Sequence, residues 1–276
     1  MAVRALLLKY LVCVLALHNY AYCQPYYFTH YQVENGLSNN AVLCSAQDEM
    51  GFMWFGTKDG LNRFDGYSFK VFHSDPDNPN GLGSNFIRAL FVDKTGRVWA
   101  GTDQGIYIFD PKSETFSLFH PTITNEILGI KGDRSGNVWF VDNLTLYRYS
   151  PKTDSLVTIT DPEFSVSSFG LANTGDAWVG TIHGDLLHYH STGIKGRYSL
   201  FDHSPHVVSQ WIEKVYCSDK GFLLIGTSKQ GLKVFDIQTG TYEDLLTHDN
   251  YGTDIFVRDI LAHRADEYWL ATESGI

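Results

Sequence analysis

GFMWFGTKDGLNRFDGYSFKVF (51–72) sets a tryptophan before Phe-Gly-Thr, turns at Lys-Asp-Gly and resumes with Leu-Asn-Arg-Phe-Asp. No catalytic motif is present in it; the stretch reads as architecture, and it returns along the chain. MWFGT (53–57), VWAGT (98–102), VWFVD (138–142), AWVGT (177–181), LLIGT (223–227) and YWLAT (268–272) repeat its centre. The anchors Trp54, Trp99, Trp139, Trp178, Leu224 and Trp269 are 45, 40, 39, 46 and 45 residues apart. A polar, glycine-bearing turn precedes most anchors (DEMG, DKTG, DRSG, NTGD, SDKG), and a second turn ending in Gly plus an aliphatic follows most of them (KDGL, DQGI, KQGL, ESGI). Further on stands an aromatic followed by a turn former: Phe64-Asp65, Phe109-Asp110, Tyr149-Ser150, Tyr189-His190 and Phe235-Asp236.

Period and alternation convert this pattern into a fold. The runs between turns are short, rich in β-branched and aromatic residues, and alternate in polarity as half-buried strands do. Glycine in the turns supplies the positive φ of tight hairpins. DPKSET (110–115) and SPKTDS (150–155) occupy equivalent turns between a third and a fourth strand. Four short antiparallel strands at a period of about 40–45 residues are the mark of a β-propeller blade. The expected architecture is all-β, with blades near 40–73, 86–120, 125–160, 165–201, 210–246 and 254–276, the last truncated. Each anchor is expected on a second strand, packed against the neighbouring blade, with the Gly or Ala two residues later leaving room for it. Residues 26–33 resemble the stretch 67–73 and are expected to form a lone outer strand closing an incomplete seven-bladed ring. On this reading the chain is an N-terminal fragment.

Residues 1–23 have the form of a secretory signal: Arg4 and Lys9, a short apolar run through Leu17, then Ala21-x-Cys23. The chain carries a formal net charge of −10, and losing Arg4 and Lys9 makes the remainder more acidic still. That balance argues against nucleic acid and anionic membranes as partners, since both demand basic patches. Cys44 and Cys217 would remain, both on innermost strands of distant blades, so they are expected as buried free thiols rather than a disulfide.

Candidate chemistry is sparse. His188 and His190 share one face of a strand and are the nearest approach to a metal pair, with His183 and Asp185 close in sequence. Solvent-facing rim histidines are the plainer reading, no third ligand is placed, and no metal site is assigned. There is no Gly-x-Ser-x-Gly elbow, so no catalytic residue is assigned either, and no cofactor is expected. Asp48, Asp93 and Asp133 recur at one place per unit and are expected to stabilise turns through side-chain to backbone hydrogen bonds. Tyr26, Tyr31, Trp211 and Tyr251 lie off the repeat's core slots, where aromatic faces suit sugar rings. Ligand-binding residues stay unassigned.

The run HYQVENGLSNNAVLCSAQDEMGFMWFGTKDGLNRFDGYSFKVF (30–72) resembles the opening of the periplasmic sensor region of hybrid two-component regulators of Bacteroides-type bacteria. The likeness rests on Gly36–Ser38, Asn40, Val42, Asp48 and 51–69, and the repeat extends to the end of the chain. Val141-Asp142 and Leu224 depart from its pattern. The resemblance implies two seven-bladed propellers, an Ig-like β-sandwich, a membrane helix, a histidine kinase core, a receiver and a DNA-binding domain. It further implies a membrane-anchored dimer that senses glycan fragments outside the cytoplasm and switches on genes for their breakdown. The competing reading is an exported propeller enzyme, a lyase or glycan-active, with its site in the central channel. A sensor with another output domain and an adhesion propeller are weaker alternatives.

Overall fold

The computed structural model describes residues 28–160, 163–190, 193–202, 209–264 and 267–275. The expected signal (1–23) and Tyr26 lie outside them. Two compact units are present, one through Tyr31 and one from Gln32 onward; the second carries all of the regular structure described below.

Five four-stranded antiparallel sheets follow one another along the chain, each with its strands in sequential order. The first is β1 (Val42–Gln47), β2 (Met53–Thr57), β3 (Gly60–Phe64) and β4 (Phe69–Phe72). The second is β5 (Ile87–Val92), β6 (Val98–Thr102), β7 (Gly105–Asp110) and β8 (Thr115–Leu118), and the third β9 (Ile127–Gly132), β10 (Val138–Asp142), β11 (Thr145–Ser150) and β12 (Ser155–Thr158). The fourth is β13 (Val166–Leu171), β14 (Ala177–Thr181), β15 (Asp185–His190) and β16 (Gly193–Ser199). The fifth is β17 (Ile212–Cys217), β18 (Phe222–Thr227), β19 (Leu232–Asp236) and β20 (Thr241–Leu246), and a sixth, two-stranded sheet pairs β21 (Val257–Arg264) with β22 (Glu267–Thr272). The stretch 51–72 is thus the second, third and fourth strands of one sheet. The turns at 110–115 and 150–155 both join third to fourth strands, with Glu114 and Asp154 at positive φ of 51° and 49°.

Every anchor lies on a second strand, and the first five pack into the sheet that follows. Trp54 meets Ile87, Val98 and Phe109 of the second sheet, and Trp99 meets Ile127, Val138 and Phe140 of the third. Trp139 meets Val166, Phe169 and Val179; Trp178 meets Ile212, Leu223 and Ile225; Leu224 meets Val257 and Ile260. These contacts make the interfaces between sheets the hydrophobic core, with Trp54, Trp99 and Trp178 almost wholly buried. Trp269, on the last described sheet, is half-buried, with its ring edge-on to His263 at 6.0 Å.

The glycine after the anchor is required by close approach. A Cβ at Gly101 would lie 2.6 Å from Ile127 of the next sheet, and one at Gly180 would lie 2.4 Å from Ile212. No real Cβ tolerates such a distance, so any larger residue there forces the sheets apart. The third sheet carries Val141 in this slot, fully buried against Val166 and Val179. Beside it, Asp142 replaces the threonine whose hydroxyl elsewhere donates to the hairpin glycine carbonyl, as Thr102 does to Gly105 at 2.9 Å. Asp142 is buried, its Oδ1 has no hydrogen-bond partner among the described residues, and burial raises its pKa against the opposing effect of Asn125.

The expected outer strand at 26–33 does not form among its described residues: 28–33 enter no ladder, and Val33 opens a short 3-10 turn through Asn35. Two of the amides such a ladder would use are engaged locally. Gln32 N–H donates to Asn35 Oδ1 and Val33 N–H to Asn40 Oδ1, each at 2.9 Å, and side chains of this type compete with strand pairing.

Candidate functional site

The first strands of all six sheets, together with Val141 and Ala271, line one cavity of about 650 Å³. Its shape follows from a defect that every sheet repeats. The ladder between first and second strand slips near its start, between Val42 and Cys44, Ile87 and Ala89, Val166 and Ser168, Ile212 and Lys214, and Val257 and Asp259, and the sixth sheet slips again between Ala262 and Arg264. In the third sheet the slip falls opposite Leu128. A bulge adds one residue to a strand and re-aims its side chain. The added residues are Leu43, Arg88, Leu128, Ser167, Glu213 and Arg258, and all six face the cavity.

The wall is charged on one side. Glu213 and Lys214 of β17 and Arg258 and Asp259 of β21 stand next to each other. Arg258 bonds Glu213 at 3.0 Å and Glu273 at 2.5 Å, and Lys214 pairs with Asp259. On the other sheets, Arg88 pairs with Glu126 at 2.9 Å, and Lys131 donates to the Phe169 carbonyl at 2.6 Å. Desolvation, followed by the charge of Lys214, lowers the Lys131 ammonium to about 8. Where the first strands begin, aromatic rings support the arginines. Arg88 lies 4.5 Å from the Phe86 ring centre and Arg258 lies 5.4 Å from that of Phe256. Trp211 occupies the equivalent place before β17 and is partly exposed.

Cys44 and Cys217 are free thiols on β1 and β17, and burial pushes both up to about 12, which leaves them unreactive at neutral pH. His188 and His190 do share a face of β15, and both turn to Asp176. His190 Nδ1 is hydrogen-bonded to Oδ1. His188 Nε2 sits 3.2 Å from Oδ2. Burial raises the Asp176 pKa, but bonds from His190, His188 and Thr174 outweigh it and hold the carboxyl below its usual value. His183 belongs to a different, smaller cavity of about 230 Å³ with Asp185 and Arg197. Among the described residues no group of three or more His, Cys, Asp or Glu side chains is arranged to hold a metal ion. Tyr251 is almost fully exposed in the loop before β21, and Tyr31 lies in the other unit.

Asp48, Asp93 and Asp133 do more than brace turns. One oxygen accepts turn amides, as Asp48 Oδ1 does from Met50 and Phe52 at 3.0 Å each. The other accepts the anchor's indole N–H, at 2.8 Å from Trp54, 2.9 Å from Trp99 and 2.9 Å from Trp139. The spacing of six residues from Asp to Trp was the available signal for that bond. A comparable signal marks the cavity, because each bulge residue stands eleven positions before its anchor.

A family model for the two component regulator propeller matches residues 36–59 and 81–104. A stretch of 44 residues is 46% identical to Histidine kinase P4 of Formosa agariphila, which is 16% of this chain and 3% of that protein. The extracellular domain of a hybrid two component system from B. thetaiotaomicron superposes with a TM-score of 0.71 at 25% identity, over 90% of this chain and 34% of the other. This chain is a propeller-type extracellular domain related to Bacteroides-type two-component sensor systems. It spans about a third of that solved structure. Virginiamycin B lyase from Staphylococcus aureus shares the fold, with a TM-score of 0.65 at 12% identity over 83% of this chain and 77% of the lyase. Among the described residues no helix is long and apolar enough to cross a membrane.

Proposed function

We propose that the chain is the ligand-sensing propeller of a membrane-anchored two-component histidine kinase that detects glycan fragments outside the cytoplasm and controls genes for their use. The observation that carries this reading is the likeness to an extracellular domain of a hybrid two component system over 90% of the chain. The cavity supports it: a concave space walled by six strands, mixing apolar side chains with charged groups that include aromatic-backed arginines, has the form of a small-molecule site. The sheets supply a rigid frame, and ligand must favour one arrangement of the whole receptor to move its equilibrium. A homodimer and closure of the sheets into a full ring, with further strands beyond β22, belong to the same proposal.

The fold shared with virginiamycin B lyase is the observation favouring an exported enzyme instead. General acid–base work needs free titratable groups converging on one point. Among the described residues no histidine lines the cavity, and the two acids there, Glu213 and Asp259, are held in ion pairs. That wall is suited to holding a ligand rather than transferring its protons. Reconstitution of the intact sensor in vesicles tests the proposal. Addition of oligosaccharides from a plant and algal glycan panel is expected to change kinase autophosphorylation for at least one of them. No response to any saccharide, or a gene without a kinase core, counts against it.

A further inference from the structure

The protein as a whole is acidic, with a formal net charge of −10, yet its first-strand cavity has the opposite bias. Four basic side chains, Arg88, Lys131, Lys214 and Arg258, stand on the wall against two acids, Glu213 and Asp259. Arg88, Lys214 and Arg258 have carboxylate partners. Lys131 has none among the described residues. Its ammonium bonds the Phe169 carbonyl and lies 5.2 Å from the Phe169 ring centre. A carbonyl and a ring face satisfy its direction, but neither supplies a counter-charge, and a desolvated cation without one is costly. On the same wall, the Nε–H of Arg88 is buried and has no acceptor among the described residues.

We propose that this cavity binds an anionic saccharide, one or two sugar rings bearing a carboxylate or a sulfate ester, with the acid group held by Lys131 and Arg88. The proposal rests on the sensing reading above and names its ligand class. A cavity of about 650 Å³ fits a ligand of that size. Leu90, Ile130 and Phe169 on the same wall offer apolar surface to the C–H faces of a ring. The acid end supplies the charge that Lys131 lacks, and an approaching anion meets a positive wall inside an otherwise negative protein, which favours its capture over neutral competitors.

Binding is also linked to the proton on Lys131. The groups that act on that ammonium are Lys214 and Cys217 of β17 and Asp259 of β21, with Phe169 of β13 in contact. Burial holds the unliganded ammonium at about 8, so the cation is present below that pH and lost above it. Affinity for an acidic sugar therefore falls as pH rises from 7 to 9.5.

Isothermal titration at matched ionic strength tests this with digalacturonate, glucose 6-sulfate and the neutral cellobiose. The proteins compared are the wild type, Lys131→Met, Arg88→Gln and a control, Lys112→Met, on an exposed turn. At least one acidic sugar is expected to bind ten-fold or more tightly than cellobiose; which of the two wins separates carboxylate from sulfate recognition. Lys131→Met and Arg88→Gln are each expected to weaken acidic binding at least ten-fold, Lys112→Met to leave it unchanged, and Lys131→Met to abolish its pH dependence. Lys131→Met should keep the wild-type melting temperature or exceed it, because it removes an unneutralised cation; Arg88→Gln gives a second measure if it does not. Equal binding of cellobiose, or undiminished acidic binding in both variants, overturns the anionic class and leaves sensing intact. Binding of none of the three overturns it too, while the kinase response to a broader panel still judges the sensing reading by itself.

Discussion

The first three sheets and the fourth secure the same tryptophan in different ways. In the first three, an aspartate six residues upstream takes the indole N–H on one oxygen and turn amides on the other. In the fourth, Ala172 stands where that aspartate would be. There the ring of Trp178 lies flat on His188, with centroids 4.0 Å apart and planes at 7°, and the acid has moved to Asp176, beneath His188 and His190. Both solutions leave the indole buried against the next sheet. The contact between sheets is therefore what the repeat preserves, and the polar device that aims the ring is interchangeable.

The sharpest way to break the comparison is to remove the ring itself. Trp99→Ala empties the interface with the third sheet and is expected to cost about 3–5 kcal/mol, as large-to-small changes at buried aromatics do. Trp178→Ala should cost a similar amount. Urea unfolding of both variants measures this; a much smaller loss for either would mean that the sheets are not held by their anchors. Next comes the device. Asp93→Ala leaves a buried indole N–H and turn amides without an acceptor, and an expected loss of about 1–3 kcal/mol follows from those orphaned donors. Aspartate is not needed to bury Trp178, so the matching change at Asp176 is expected to cost less. Equal losses would show that the fourth sheet depends on its acid as the others do.

The sequence made the anchors readable because they depend on neighbours a few residues away: a turn, a ring and a glycine that admits Ile127 or Ile212 of the next sheet. The aspartate's turn bonds were readable for the same reason. Its bond to the indole was visible in the spacing, but it requires knowing that residue and ring fold back to one side of the hairpin. The cavity was harder to read. Arg88, Glu213 and Arg258 look like ordinary alternating strand residues until the bulge is known, and a single slip in register decides which of two neighbours faces inward. The 26–33 segment shows the opposite limit. Its likeness to 67–73 suggests a strand, but a strand exists only through a partner; residues 28–33 pair with none of the described strands, and Asn35 and Asn40 hold the Gln32 and Val33 amides.

A finer contrast concerns what His188 does for Trp178. Stacked aromatic pairs contribute about 0.5–1.5 kcal/mol beyond burial. His188→Ala should lose about that much, and His188→Phe, which keeps a flat ring but gives up the contact to Asp176, should lose less. If both variants lose the same amount, the histidine works through Asp176 and the stack is incidental. Thermal melts of the two variants at neutral pH are sufficient to decide it.

The smallest expected difference lies at acid pH. For both Asp93 and Asp133 burial pushes the pKa up, but hydrogen bonds outweigh it and hold the carboxyl below its ordinary value. Those bonds come chiefly from Thr95 and Trp99 for Asp93, and from Trp139 and Asn137 for Asp133. A carboxyl depressed in this way adds stability that is fully present above its unfolded pKa, near 3.8, and lost as pH falls through the folded value. Asp93→Asn and Asp133→Asn are therefore expected to be least stable relative to wild type near pH 6, with the gap narrowing below pH 4. Asp176 is depressed as well, but it faces two imidazoles instead of an indole. Its Asn variant should show the same narrowing. Circular-dichroism melts from pH 6 to pH 2.5 follow all three variants. A gap that stays constant across that range for Asp93→Asn would mean the aspartate acts through shape alone, and the distinction between the two kinds of anchor would reduce to packing.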